Sequence, residues 1–186
     1  VPPVGNLGLP AMEPAEYISQ VAEKIAVSAC EAWERREPSG IAFGLGQAVV
    51  GHNRRLSYLN GESVMYGDAS LPTFSHVEGF EDHSMNLLAV WNARQEFTGL
   101  IINLACPSQA TENLFTVSAD FWHEARLELR RRLGQNVYIL PQCSAAGDQS
   151  PRTLVGKAAA ARMLHLQGRT EREEIGRRIA DAVTDI

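Results

Sequence analysis

Positive charge is what this chain is short of. Its 17 Lys and Arg are outnumbered by 22 Asp and Glu, giving a net charge of −5 and a pI near 5.6. No basic stripe offsets that balance, so no nucleic-acid partner is expected. Long apolar runs are also missing: none approaches the roughly 20 residues of a membrane-spanning helix. Cysteine is scarce. Cys30, Cys106 and Cys143 are odd in number and widely spaced, so they make neither a disulfide framework nor a CxxC zinc pattern, and they leave the compartment open. There is no repeat and no low-complexity tract. No initiator Met and no charged-then-apolar leader begins the chain. Val1-Pro2-Pro3-Val4 reads like an interior loop, and the expectation is a piece of a larger protein.

What is present suits a globular chain. With 186 residues, 45% hydrophobic and 21% charged, the sequence has the size of one ordinary domain and enough apolar content for a core. Residues 1 to 14 are rich in Pro and Gly and should be irregular. Pro14 opens a helix to about Arg36, with Ile18, Val21, Ala22, Ile25, Ala29, Ala32 and Trp33 on one stripe and Cys30 as a small packed residue. Ile41 to Val50 reads as a strand in which Gly44 and Gly46 mark a bulge or a close approach. They make no dinucleotide fingerprint, because a third Gly and a following helix are missing. Asn60-Gly61 signals a hairpin.

Glu62 to Ser84 shows no clear period and reads as a long connection, a candidate functional loop. It carries His76, Glu78, Glu81, Asp82 and His83, without a spacing that fixes metal geometry. Asn86 to Trp91 and Phe97 to Cys106 form a strand pair around the polar loop 92–96. Leu100-Ile101-Ile102 has the look of a central strand buried on both faces. Ser118 is placed to cap a helix from about Ala119 to Leu133, with Trp122, Ala125, Leu129 and Leu133 inward. An Ala-rich helix is expected from Pro151 to about Leu166, ended by Gly168. The capping box Thr170 to Glu173 starts a last helix, with Ile175, Ile179, Val183 and Ile186 on one face. This order gives an α/β fold: a mixed β-sheet covered by helices.

The stretch from Asn136 to Pro151 organises the chain. A short apolar strand, Val137 to Leu140, runs into a loop of small residues holding Gly147, Asp148 and Ser150, and Pro151 opens a helical pattern. Chemistry in α/β proteins collects at such strand-to-helix loops, where backbone N–H groups point outward. The same residues also read structurally. Ser150 before Pro151 is the pattern of an N-cap with Pro at the first helical position, and Asp148 is a turn former. Gly51-His52-Asn53-Arg54-Arg55 is a second polar knot, read from composition alone as a solvated turn.

Three segments, in order, carry a resemblance. They are Gly51-His52-Asn53-Arg54; Leu100 to Asp120, with Asn103-Leu104-Ala105-Cys106-Pro107 and Ser118-Ala119-Asp120; and Gln142 to Pro151, with Gly147-Asp148-Gln149-Ser150-Pro151. Together they resemble the N-terminal domain of the neutral/alkaline (non-lysosomal) ceramidases and their bacterial relatives, over roughly residues 15 to 186. The resemblance implies a zinc-dependent amidohydrolase that cleaves the N-acyl bond of ceramide or a related lipid amide. It assigns Ser150 and Asp148 to catalysis and Arg54, Asn53 and Gly147 to substrate binding. It implies a small-molecule or lipid amide substrate, peripheral membrane contact, and a secreted or periplasmic setting.

The departures are as informative. The family's zinc ligands include a His from a His-x-His stretch, which would fall upstream of Val1. A second His belongs in the loop after Ala105, where this sequence has Cys106-Pro107. A Glu and a Tyr belong beyond Ile186. Zinc is therefore expected from the resemblance while its matching ligands are absent from this chain; Cys106 is a candidate thiolate ligand, set against the reading of a packed or inert loop cysteine. Two readings stand: a ceramidase-like hydrolase with an altered metal site, or a binding or structural domain that keeps the fold without the zinc chemistry. If Ser150 is only a cap, Ser150→Asp should keep stability.

Overall fold

The computed structural model describes residues 12–114 and 117–186. The interior-loop reading of Val1 to Val4, and the irregular segment as far as Ala11, lie outside the described residues. The chain divides into a unit ending at Pro38 and a second unit, Ser39–Ile186.

The first unit holds helix α1, Pro14–Glu34. Pro14 sits at its first turn, where a missing N–H costs nothing, and Glu16 adds negative charge at the positive end of the helix dipole. The helix ends two residues before the expected Arg36; the Arg36 guanidinium lies 3.9 Å from the Trp33 ring centroid. Cys30 is exposed, not packed as expected; among the described residues its unit holds no second element that could bury it.

Among the described residues the second unit carries nine strands: β1 (Ser39–Gln47), β2 (His52–Asn53), β3 (Arg55–Tyr58), β4 (Ser63–Met65), β5 (Phe74–Val77), β6 (Ser84–Asn92), β7 (Phe97–Leu104), β8 (Tyr138–Cys143) and β9 (Gln149–Ser150). Its helices are α2 (Phe121–Leu133), α3 (Lys157–Gln167) and α4 (Glu171–Thr184). The main sheet has the order β1-β6-β7-β8, antiparallel except for the parallel β7–β8 pair. This is the expected mixed sheet with helices. The β6–β7 hairpin turns on Asn92, whose Oδ1 accepts from the backbone N–H of Arg94 and Glu96.

Helices α2 and α4 cover one face of that sheet. Met85, Leu87, Leu100, Ile102, Leu104 and Ile139 point to α2 and α4 and are buried. On the opposite face Ile41, Phe43, Leu45, Tyr138 and Leu140 are exposed. Ile101 is half-buried there, so the expectation of a central strand buried on both faces is corrected: only alternate residues meet a helix layer. Gly44 and Gly46 do mark a close approach. A Cβ on either would lie 2.6 or 2.5 Å from the Ile186 side chain.

Three expectations shift for local reasons, and a fourth holds. The connection from Glu62 to Ser84 contains β4 and β5, which flank β3 in a three-stranded sheet; strands this short show no period. Gly61, at φ +85°, makes the turn that Asn60-Gly61 signalled. The cap of α2 is Asp120, not Ser118: Asp120 accepts from Phe121 N–H, and Ser118 Oγ accepts from Asp120 N–H. Burial alone would raise the Asp120 pKa, but bonds from Thr111, Phe121 and Ala110 hold it below the usual value. Finally, α3 starts at Lys157, after the left-handed Gly156, rather than at Pro151. The capping box on α4 is present as read.

One buried charge network is set by α4. Glu174, 6% exposed, accepts from Arg177 at 2.8 Å, Arg178 at 3.0 Å and Arg169 at 3.0 Å. The Arg177 hydrogen bond, opposed by burial and aided by Arg178, holds its pKa at about 2. Its folded pKa is thus below its unfolded one. The stability it contributes is present above about pH 4.5 and lost as pH falls towards about 2. We expect Glu174→Gln to lower stability at pH 7 by about 2 kcal/mol and to flatten the acid limb of a stability-versus-pH curve. Urea midpoints measured from pH 7 to pH 2.5 check it; parallel curves for both proteins would contradict it.

Candidate functional site

Two very short strands assemble the site. β2 pairs antiparallel with β9, setting His52 opposite Ser150 and Asn53 opposite Gln149. Arg54 N–H donates to the Asp148 carbonyl at 2.8 Å, extending the pairing by one residue. Two segments 95 residues apart in sequence are thereby locked together.

Asn53 is 3% exposed. Its Nδ2 donates to Asp148 Oδ2 at 2.8 Å, while its Oδ1 accepts from Arg55 N–H at 3.0 Å. Gly79 lies against it; a Cβ there would come within 2.8 Å of Asn53 Nδ2. Arg54 donates to the Gly147 carbonyl from Nη2 at 2.6 Å and from Nε at 3.1 Å, and its Nη1 reaches the Tyr66 hydroxyl at 3.4 Å. The structure therefore brings Asn53, Arg54, Gly147, Asp148 and Ser150 into one constellation. In it the arginine fork grips a backbone carbonyl, as a planar multi-donor group can.

Ser150 is 0% exposed and lies in β9. It is not the N-cap of a helix opening at Pro151; its Oγ accepts from Arg152 N–H at 3.2 Å, a local turn bond. The knot Gly51 to Arg55 is likewise no solvated turn: Gly51 and Asn53 are buried and residues 52–53 form a strand.

The loop cluster separates. Glu78 pairs with Arg55, His76 Nδ1 meets Ser75 Oγ at 2.9 Å, and Asp82 accepts from Ser84 N–H. Glu81 and His83 instead join His52. Glu81 Oε2 lies 3.1 Å from His52 Nδ1 and 3.3 Å from His83 Nε2, and Glu81 Oε1 accepts from Asn53 N–H at 3.1 Å. This His52–Glu81–His83 group was missed from sequence. Its members sit on either side of the small sheet, and no spacing between residues 52 and 81 announces contact.

Cys106 stands apart from the constellation. It is 1% exposed, in the loop after β7, which packs on Gly51: a Cβ at Gly51 would lie 2.4 Å from the Ala105 carbonyl oxygen. Burial, with a smaller push from Cys143, drives the Cys106 thiol up to about 12, so it stays protonated at neutral pH. Cys30 and Cys143 are exposed. We expect a disulfide-exchange reagent at pH 8 to titrate two thiols quickly in the native protein and the third only after denaturation. Three fast thiols would contradict this.

Zinc needs a converging set of deprotonated ligands. Among the described residues no group of three or more His, Cys, Asp or Glu side chains is arranged to hold a metal ion, and Cys106 is a buried thiol. These residues do not fit the metal that the resemblance implies.

The sheet, the helices and the β2–β9 lock define an α/β domain of ceramidase-like fold. The sequence matches no family model and no curated protein. Similar solved structures are the neutral ceramidase from Pseudomonas aeruginosa and a ceramidase complexed with C2, each at TM-score 0.63 and 18% identity over 92% of this chain. The chain spans about a quarter (26%) of the length of those structures.

Proposed function

We propose that this chain is part of a ceramidase-like hydrolase acting on the N-acyl bond of ceramide or a related lipid amide. The observation that carries the proposal is the β2–β9 lock. Within a ceramidase-like fold, it gathers Asn53, Arg54, Gly147, Asp148 and Ser150 from two distant segments. In this reading Arg54 and Asn53 present charge-assisted and neutral donors to the polar part of the substrate, and Ser150 and Asp148 serve the acyl-transfer step. Gly147 leaves room for close approach. The described residues offer zinc no ligand set, so these roles fall to the side chains themselves.

A second reading has its own support: a binding domain that keeps the fold. Arg54 is already bonded to Gly147, and Ser150 is fully buried.

The test is release of fatty acid from a fluorescent N-acyl sphingosine by protein purified without chelator, alongside its zinc content by elemental analysis. Turnover lost in Arg54→Ala with an unchanged melting temperature supports the hydrolase. No turnover with or without added zinc supports the binding domain.

A further inference from the structure

Helices α2 and α4 protect only one side of the main sheet. On the other side Ile41, Phe43 and Leu45 of β1 and Tyr138 and Leu140 of β8 are between 53% and 79% exposed. A contiguous apolar surface left in water marks an interaction site. Strand register arranges this one in three cross-strand rows. Ile41, Val90, Gly99 and Tyr138 form the first, and Phe43, Leu88, Ile101 and Leu140 the second. Leu45, Asn86, Asn103 and Gln142 form the third.

None of these positions carries a charge, whereas a solvated surface of this extent would hold about three. The polar members, Asn86, Asn103 and Gln142, are all amides and all lie in the third row. For side chains of this size, the five exposed ones leave about 700 Å² in water, close to the roughly 800 Å² per partner that a standard interface buries.

We infer that this face is a self-association surface, on which a second copy of the chain packs sheet against sheet about a two-fold axis running along the strands. An uncharged surface opposes itself without like-charge repulsion, as an isologous contact requires. The axis sets each row against the same row of the partner, so amide meets amide, and an amide both donates and accepts. It also sets β1 of one copy over β8 of the other, with Phe43 facing the Leu140 position. Two sheets of one twist pack this way about 10 Å apart, their strands about 30° off parallel. An anionic membrane is a poorer occupant: the rows hold no Lys or Arg, and the chain's net charge is −5.

The test is sedimentation of the full chain in a reductant, which keeps the exposed Cys30 and Cys143 from cross-linking copies. A particle of twice the 20.4 kDa chain mass is expected at micromolar concentration. Added salt should not weaken it, since no ion pair holds it. Phe43→Lys or Leu140→Glu should each weaken dimerisation at least a hundredfold. Combining them sets the new lysine of each copy near the new glutamate of the other and should recover at least tenfold. Leu127→Lys, exposed on α2, should leave the dimer intact. Far-UV circular dichroism checks the fold of each variant, and Tyr138→Lys replaces a single variant that fails it. A monomer throughout the micromolar range, masses that climb beyond two chains, a dimer indifferent to the single variants, or no recovery in the double variant would overturn the inference.

Discussion

Gly176→Ala is expected to destabilise the second unit by about 3 kcal/mol and to lower its melting temperature by about 10 °C. The sign is the informative part, because alanine in a helix interior normally gains about 1 kcal/mol over glycine. Gly176 is buried in the middle of α4, where it crosses α2. A Cβ there would lie 2.8 Å from Ala125 N and 2.9 Å from Glu124 C, which are backbone atoms of the neighbouring helix. Backbone in a helix cannot swing aside as a side-chain tip can, so α2 and α4 would have to separate. That separation loosens Phe121, Leu129 and Ile179, each with no exposed surface. Gly147→Ala is the control: nothing lies within 4 Å of its would-be Cβ, and it should change stability by less than about 0.5 kcal/mol. Thermal melts of both variants decide the matter. A Gly176→Ala protein as stable as wild type would mean that the two helices do not pack this closely.

Gly176 also shows what a sequence conceals. The apolar positions of α4, Ile175, Ile179 and Val183, were legible because a 3.6-residue period repeats over several turns. So were its capping box, the β6–β7 hairpin and the inward face of α2, each a strong local signal. A glycine amid that period reads only as a weak point in a helix; its necessity lies in a helix 50 residues away. The candidate site suffers from the same limit. Asn53, Arg54, Gly147, Asp148 and Ser150 were picked out by motif, but the β2–β9 pairing that joins them is two residues long on each side, too short for any alternation to register. Glu81 and His83 were visible as chemistry without geometry, and His52 was hidden in what read as a turn. The late start of α3 has a simpler cause. Ser150-Pro151 imitates a cap so well that the six residues from Pro151 to Gly156, none of them helical, read as helix.

That imitation makes Ser150→Asp the sharpest test of the site. At a solvent-facing N-cap, aspartate replaces serine at almost no cost, and the exchange would leave stability unchanged. In β9 the side chain is 0% exposed, and its Oγ has one partner, Arg152 N–H at 3.2 Å. A carboxylate there is larger and, if charged, is buried with a single donor. We expect a loss of about 3–5 kcal/mol. Ser150→Ala removes that one hydrogen bond and should cost only about 1 kcal/mol. Urea denaturation of the two variants separates the cases, since a cap predicts the opposite ranking, with Ser150→Ala the less stable. The same pair bears on function. A folded Ser150→Ala protein that still cleaves an N-acyl sphingosine at the wild-type rate would leave Ser150 as structure alone, fixing β2 against β9 so that Arg54 and Asp148 keep their places. Loss of turnover at near-native stability would instead assign the buried hydroxyl to the reaction.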